Sequence, residues 1–471
     1  MVDVSWSALD SVITGEVVLP GSGAYEAGPK PFNARFADLV PQAVVRCATA
    51  GDVVETLSFA RRHGVLVAIR SGGHCFAGRS STRGVVVDVS PMDSVVVADG
   101  VAVIGAGARL GQVYDALDSH GLAIPGGTCP SVGIAGLVLG GGLGILGRAY
   151  GVTSDRLVRA QVVLPDGRIV DCDDQHYEDL FWALRGAGAG SVGVVTSLVF
   201  RPVPALPATN LHVVWPHSEA GAVIAAWQRW APHGPDQLAA SLKITTTGDV
   251  DAPPSVDVYL ALFDGDPDAD TANPADAADL VDQLVGAVGS EPVSTTGGHM
   301  SFTETRRYWA QLGVECEEQP QEPLAPVPTY LVARSEFFRQ PLPPQAINAL
   351  LATLTSGRNA AASRELDFMP WGGAYNRVRP DATAFVHRDE LFQVKHAAVV
   401  APDASTSDKQ AAEGWVTASW RSVHPWGSGR VFPNFADPDL KHRGSAYFGA
   451  NYARLRRIKQ HYDPDQFFRF A

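Results

Sequence analysis

The sequence predicts an α+β protein of two domains, and three observations carry that prediction. A chain of 471 residues is longer than one hydrophobic core usually serves. Short β-branched runs and stretches of helical periodicity occur in both halves, bounded by turn residues. Pro202, Pro204 and Pro207 punctuate the chain together, placing a first unit at residues 1–205 and a second at 206–429.

Taken in order, Gly51-Asp52 reads as the cap of a helix. Its apolar residues Val53, Val54, Leu57, Phe59 and Ala60 recur at helical spacing until Gly64 ends it. Residues 65–69 follow as a strand that delivers the chain into Arg70-Ser71-Gly72-Gly73-His74-Cys75-Phe76-Ala77-Gly78. Paired glycines after a strand let backbone N–H groups close on an anion, with the charge of Arg70 at the entrance. On these residues alone, an ordinary turn with a solvated histidine fits equally.

β-Branched runs at 85–89, 95–97 and 101–104 predict sheet, and 110–117 a helix closed by His120-Gly121. That helix leads into Gly126-Gly127-Thr128-Cys129-Pro130-Ser131-Val132-Gly133-Ile134-Ala135-Gly136 and then Leu139-Gly140-Gly141-Gly142-Leu143-Gly144. Glycine this dense weakens a helix, so its presence in an apolar pattern signals something lying against the backbone. Strands at 157–164 and 168–170 join through Pro165-Asp166-Gly167, a helix follows at 179–186, and another strand lies within 188–196. Beyond the prolines, strands are expected at 212–215, 256–263, 385–386 and 391–400, and helices at 219–230, 275–288 and 407–424. Residues 264–279 and 315–328 read as acidic surface loops.

Composition narrows the function. A net charge of −13 argues against nucleic acid and anionic membrane surfaces, which need a basic footprint, and favours a small-molecule substrate. The one candidate span, 132–146, is broken by glycine and followed by Arg148. The amino terminus lacks a basic region leading into an apolar core, so a cytoplasmic protein is expected. Cys47, Cys75, Cys129, Cys172 and Cys316 are few, odd in number and scattered, unlike a disulfide framework.

The two glycine-flanked motifs, in this order, resemble those of the berberine-bridge-enzyme-like oxidases, which carry the vanillyl-alcohol-oxidase (PCMH-type) FAD domain. The resemblance covers nearly the whole chain, densely over 32–203 and 430–471. It implies FAD, with the pyrophosphate held by the loop of Arg70, Ser71, Gly72, Gly73, Cys75 and Gly78. It further implies a covalent flavin, bonded by His74 at the 8α-methyl group and by Cys129, beside Thr128, at C6. Gly133, Gly136, Gly140, Gly141, Gly144, Asp155, Val194 and Asn451 are the further cofactor contacts it implies. The middle segment then becomes an antiparallel-sheet substrate domain with helices on one side, and residues 430–471 return to complete the FAD domain. Where the family usually has Asn-Phe this chain has Ser191-Val192, which leaves backbone contacts alone. Without the resemblance, Cys129 reads as a buried apolar thiol.

Such a flavin takes hydride at N5, so the protein must remove a proton from the attached O–H or N–H. Many relatives use the last tyrosine of a Tyr-x-Asn-Tyr segment; here the place is held by Phe432-Pro433-Asn434-Phe435, and phenylalanine takes no proton. The segment from His387 to His396 is similar to the family's His-Arg-x-x-Leu strand, and Lys395 stands where relatives have an acid or glutamine. Lys395 as base or fixed donor, Tyr375 beside Gly372-Gly373, and Asn434 are the catalytic candidates; a surface lysine is the other reading of Lys395. The activity implied is oxidation of an alcohol or hemiacetal carbon of a sugar-like or natural-product substrate, with molecular oxygen as acceptor. Amine oxidation of the hydroxynicotine-oxidase kind, and a flavin carrier without turnover, are the alternatives. Zinc-type spacings, a Walker loop, a serine elbow and a nicotinamide motif do not appear, so metal and NAD are not expected.

Overall fold

The computed structural model describes residues 5–27, 30–187, 192–265, 276–313, 316, 318–319, 322–326 and 329–469. Ser191 and residues 266–275 of the first acidic loop lie outside the described residues; in the second, Glu318–Gln319 and Glu322–Pro326 pair as short antiparallel strands where a loop was expected.

The first unit holds two sheets. Strand Val85–Asp88 is the parallel partner of both Ala43–Arg46 and Val67–Arg70, with Glu16–Val18 on the edge. Parallel neighbours require a crossover, and helix Ala50–His63 supplies one. Its cap is Thr49, in a reciprocal box with Asp52, and not the Gly51-Asp52 pair expected. The Asp52 carboxylate also gathers the N–H groups of Thr14, Gly15 and Ala48, so a long-range need fixed its place. The second sheet is antiparallel, in the order Val95–Ala98, Val101–Gly105, Val194–Phe200, Leu157–Val163, Ile169–Cys172.

The second unit is one antiparallel sheet of seven strands, ordered Ser294–Met300, Ala208–Trp215, Ser255–Phe263, Leu238–Thr246, Ala362–Pro370, Phe392–Val400, Tyr330–Phe338. Helices Ala220–Trp230, Ala277–Val288, Pro344–Thr355 and Thr406–Val423 bury one face of it with Leu242, Leu366, Phe368, Val394 and Ala398. Side chains alternate along a strand, so the residues between these point to the other face, against the first unit. That face is polar and nevertheless buried: Ser241, Lys243, Glu365, Asp367, Gln393 and Lys395 are all less than 9% exposed.

Strands Leu238–Thr246, Tyr330–Phe338 and Ala362–Pro370 carry no simple period-2 signal, because both faces are covered and nearly every residue is buried. The expected strand at 385–386 is instead irregular chain. Phe385 packs there over Gly141 and Gly186, with its N–H bonded to the Arg185 carbonyl. Two short helices, Arg443–Phe448 and Tyr452–Tyr462, bring the chain back to the first unit. Leu455, Ile458, Tyr462 and Phe468 join the first unit's core there, with Phe467 packed against it.

Candidate active site

A cavity of about 1570 Å3 lies between the two units and takes walls from both. Sites for single small ligands occupy roughly 300–1,000 Å3, so this one has room for a large group and a second molecule beside it. Two of its walls are the segments singled out in the sequence.

The first is the loop from Ser71 to Gly78. The Ser71 hydroxyl donates to the Ala106 carbonyl at 2.7 Å, and Gly72 lies directly against Gly133. A Cβ on Gly72 would stand 2.1 Å from the Gly133 nitrogen, so the two cradle segments touch through backbone. His74 stacks on Phe32 at 4.9 Å, and its Nε2 is 3.0 Å from the Ser131 hydroxyl. Its Nδ1 is buried with no hydrogen-bond partner among the described residues. Burial and then the nearby Arg109 charge push its pKa down to about 3, so the ring is neutral and one nitrogen keeps a lone pair. Arg70 departs from expectation. It is buried opposite Asp88, its Nε donates to the Ser80 carbonyl, and it does not line the cavity.

The second wall is the glycine segment, whose Thr128, Gly133, Gly136, Gly140 and Gly144 all face the cavity. Asn434 holds it in shape, donating to the carbonyls of Gly136 and Leu137 at 3.2 and 3.1 Å and accepting from the Gly142 N–H at 3.1 Å. The Tyr375 hydroxyl donates to the Gly144 carbonyl at 3.2 Å, and burial raises its pKa above the ordinary phenol value. Both side chains, expected to be catalytic, line the cavity, and in this structure their polar atoms hold the glycines in position.

Cys129 also departs from expectation. Its sulfur is bonded to Cys316, 187 residues away in the second unit. Spacing gave no hint of this because the two cysteines belong to different units that only the fold brings together. Asp155 forms a two-pronged ion pair with Arg388 at 2.6 and 2.8 Å and accepts the Val152 N–H. The Asn451 amide donates to the carbonyls of Pro380 and Thr383. Neither residue lines the cavity, nor do Gly141 and Val194, whose neighbours Gly140, Gly193 and Val195 do.

Opposite the glycine wall stands a row that the sequence reading found only in part. Strand register sets Lys243 beside Asp367 and Asp367 beside Lys395 on three consecutive strands, where facing side chains lie about 5 Å apart. Lys243 Nζ is 3.0 Å from Glu365 and 3.5 Å from Asp367, and Lys395 Nζ is 3.2 and 3.8 Å from the same two carboxylates. The Ser241 hydroxyl donates to Asp367 at 2.7 Å. Burial alone would raise the Glu365 pKa, but the Lys395 and Lys243 ammoniums outweigh it and hold it at about 2. Two ammoniums and two carboxylates balance, which is how four buried charges are tolerated. Lys395 is therefore no surface residue. Asp367 and both lysines line the cavity, whereas Glu365 lies behind them.

On the opposite face of the same strand, His396 is fully buried, with Nδ1 2.8 Å from the Ser419 hydroxyl. Burial and then Arg334 hold its pKa down to about 3. Between pH 6.5, where the unfolded imidazole titrates, and that value, only the unfolded chain binds the proton, so stability falls as pH falls. One such group contributes a slope of about 1.4 kcal/mol per pH unit. Thermal melts of wild type and His396→Asn from pH 7 to 4 should show the shallower acid loss in the variant, and equal slopes would remove His396 from that account.

A family model described as "FAD binding domain" matches residues 41–173, and one described as "Berberine and berberine like" matches 431–471. An FAD-linked oxidoreductase of Bacillus subtilis, YgaK, is 30% identical over 469 residues, spanning 97% of this chain and 96% of the relative. The chitooligosaccharide oxidase of Gibberella zeae is 29% identical, spanning 95% of this chain and 90% of the relative. Among solved structures, BBE-like 1 of Physcomitrella patens superimposes with a TM-score of 0.85 at 25% identity, covering 98% of this chain and 97% of that one. The residues present fit FAD: backbone cradles closed by Gly72 and Gly133, a neutral His74 with an unpartnered nitrogen, and a cavity larger than a substrate needs. Cradle, cavity and likeness along the whole chain agree that this protein belongs to the berberine-bridge-enzyme-like FAD-linked oxidoreductases, with their PCMH-type two-domain fold.

Proposed function

We propose that the chain is an oxidase that removes hydride from an alcohol or hemiacetal carbon of a sugar-like substrate, with FAD bonded to His74 and, when its thiol is free, to Cys129. One observation carries the chemistry: Asp367, flanked by Lys243 and Lys395, lines the same cavity as His74 and the glycine wall. FAD, when bound, supplies the hydride acceptor, and molecular oxygen is the proposed final acceptor.

The residues of this chain manage the proton. Lys395 sits against Glu365, a carboxylate held ionised, and so serves as a charged donor toward a substrate oxygen. Asp367 faces the cavity and takes the hydroxyl proton. That proton becomes acidic as hydride leaves the adjacent carbon, which is when the carboxylate accepts it. Of the two roles open to Lys395, base or fixed donor, its pairing supports the donor, and the base becomes Asp367. The sugar reading draws support from the likeness to chitooligosaccharide oxidase.

The test begins with denatured holoprotein, where yellow colour should survive acid precipitation in wild type and fall in His74→Ala. Anaerobic bleaching of the visible flavin band by reducing oligosaccharides, and not by amines, is the expected result across a donor panel. Bleaching by amines alone would replace the substrate class, and none by any donor, with dithionite still reacting, would leave a flavin carrier.

A further inference from the structure

The bond between Cys129 and Cys316 joins the two units at the lining of the cavity. Cys129 follows the first unit's Gly126-Gly127-Thr128 turn, while Cys316 follows the helix Phe302–Ala310 of the second unit. Both side chains line the cavity and are 8% exposed, and their Cα atoms stand 4.7 Å apart. The approach to Cys316 is anchored to the catalytic row. The Leu312 carbonyl accepts from Lys243 Nζ at 2.7 Å, and the Trp309 indole N–H donates to Asn210 at 3.0 Å. The lysine that flanks Asp367 thus bonds the chain just ahead of Cys316, whose N–H donates to the Gly313 carbonyl at 3.0 Å.

One sulfur cannot serve two partners. Resting on the proposed function above, we infer that Cys316 governs the second flavin attachment: the disulfide and the Cys129–flavin bond are alternative fates of the same thiol, selected by thiol redox state. A dithiol reductant delivers two electrons and two protons, breaks the S–S bond and leaves two thiols. Bonding of Cys129 sulfur to flavin C6 then forms one C–S bond, loses the S–H and C6–H hydrogens, and passes two electrons and two protons to dioxygen, giving hydrogen peroxide. Oxidation by dioxygen before that step removes the S–H hydrogens of Cys129 and Cys316, forms the S–S bond, passes two electrons and two protons to dioxygen to give hydrogen peroxide, and leaves FAD attached through His74 alone. Of the other three cysteines, Cys47 and Cys172 are buried away from the cavity, and Cys75 lines it as a free thiol.

The experiment compares holoprotein produced in a reducing and in an oxidising bacterial cytosol, alkylated and mapped by peptide mass spectrometry. Protein from the oxidising host should carry the Cys129–Cys316 cross-link with flavin on the His74 peptide only. Protein from the reducing host should carry flavin on both peptides, with Cys316 alkylated. Dithiothreitol in air should convert the first pattern into the second. The Cys316→Ser variant should carry both attachments from either host, and Cys129→Ser only the one at His74. Equal flavin on Cys129 in wild type from both hosts would overturn the switch while leaving the cofactor reading intact. Flavin absent from Cys129 in reduced Cys316→Ser would overturn the switch together with the second tether. Flavin absent from both residues would remove the covalent reading itself.

Discussion

Asp367→Asn is expected to lower kcat by about 10²- to 10⁴-fold, the usual worth of a positioned general base, with flavin content unchanged. Asparagine keeps the size of the side chain and an oxygen able to accept from Ser241, which donates to the native carboxylate at 2.7 Å, but it takes no proton. The loss should fall on kcat far more than on KM, since the group acts on the hydroxyl proton as hydride departs. Stopped-flow reduction of the flavin by substrate isolates that step from oxygen. Lys395→Met provides the contrast: it removes the donor, leaves Glu365 with Lys243 alone, and should weaken substrate binding as well as turnover. Unchanged reduction rates in Asp367→Asn would return the base assignment to Lys395.

Arg388→Met is expected to destabilise the protein by about 3–5 kcal/mol, the cost of stripping one partner from a buried pair. The Arg388 side chain is fully buried, and its partner Asp155 is 9% exposed. Arg388 also donates to the Tyr375 carbonyl, so its loss loosens the group that touches Gly144. The denaturant midpoint should drop sharply. A double substitution, Asp155→Leu with Arg388→Met, should recover part of the loss because no lone carboxylate is left buried. If Asp155 instead contacted FAD, as the resemblance had implied, that double variant would lose flavin and recover nothing.

Much of the site was readable because it is local. A strand running into Gly72-Gly73-His74 and glycines packed around Cys129 need only neighbouring residues to declare a backbone held close to a ligand. Arg70 and Asp155 misled for a related reason. Charge near a phosphate loop looks like ligand binding, yet Arg70 faces Asp88 across a parallel register and Asp155 faces Arg388 from 233 residues away. Sequence proximity does not say which side of a strand or turn the charge leaves from.

Asp367 was missed because nothing around it is unusual. Its strand is buried on both faces, so the alternation that marks a half-exposed strand is absent. Only the order of strands brings Lys243, Asp367 and Lys395 side by side. By itself, then, the amino-acid sequence determined the family, the cofactor and two of the loops that wall the cavity, since each is encoded in short runs whose glycines and β-branched residues act locally. The tertiary structure alone decided which carboxylate faces the cavity, which charges are structural, and that the Cys129 sulfur meets Cys316. Those outcomes depend on register and on two units meeting, and a linear chain carries neither in any single segment.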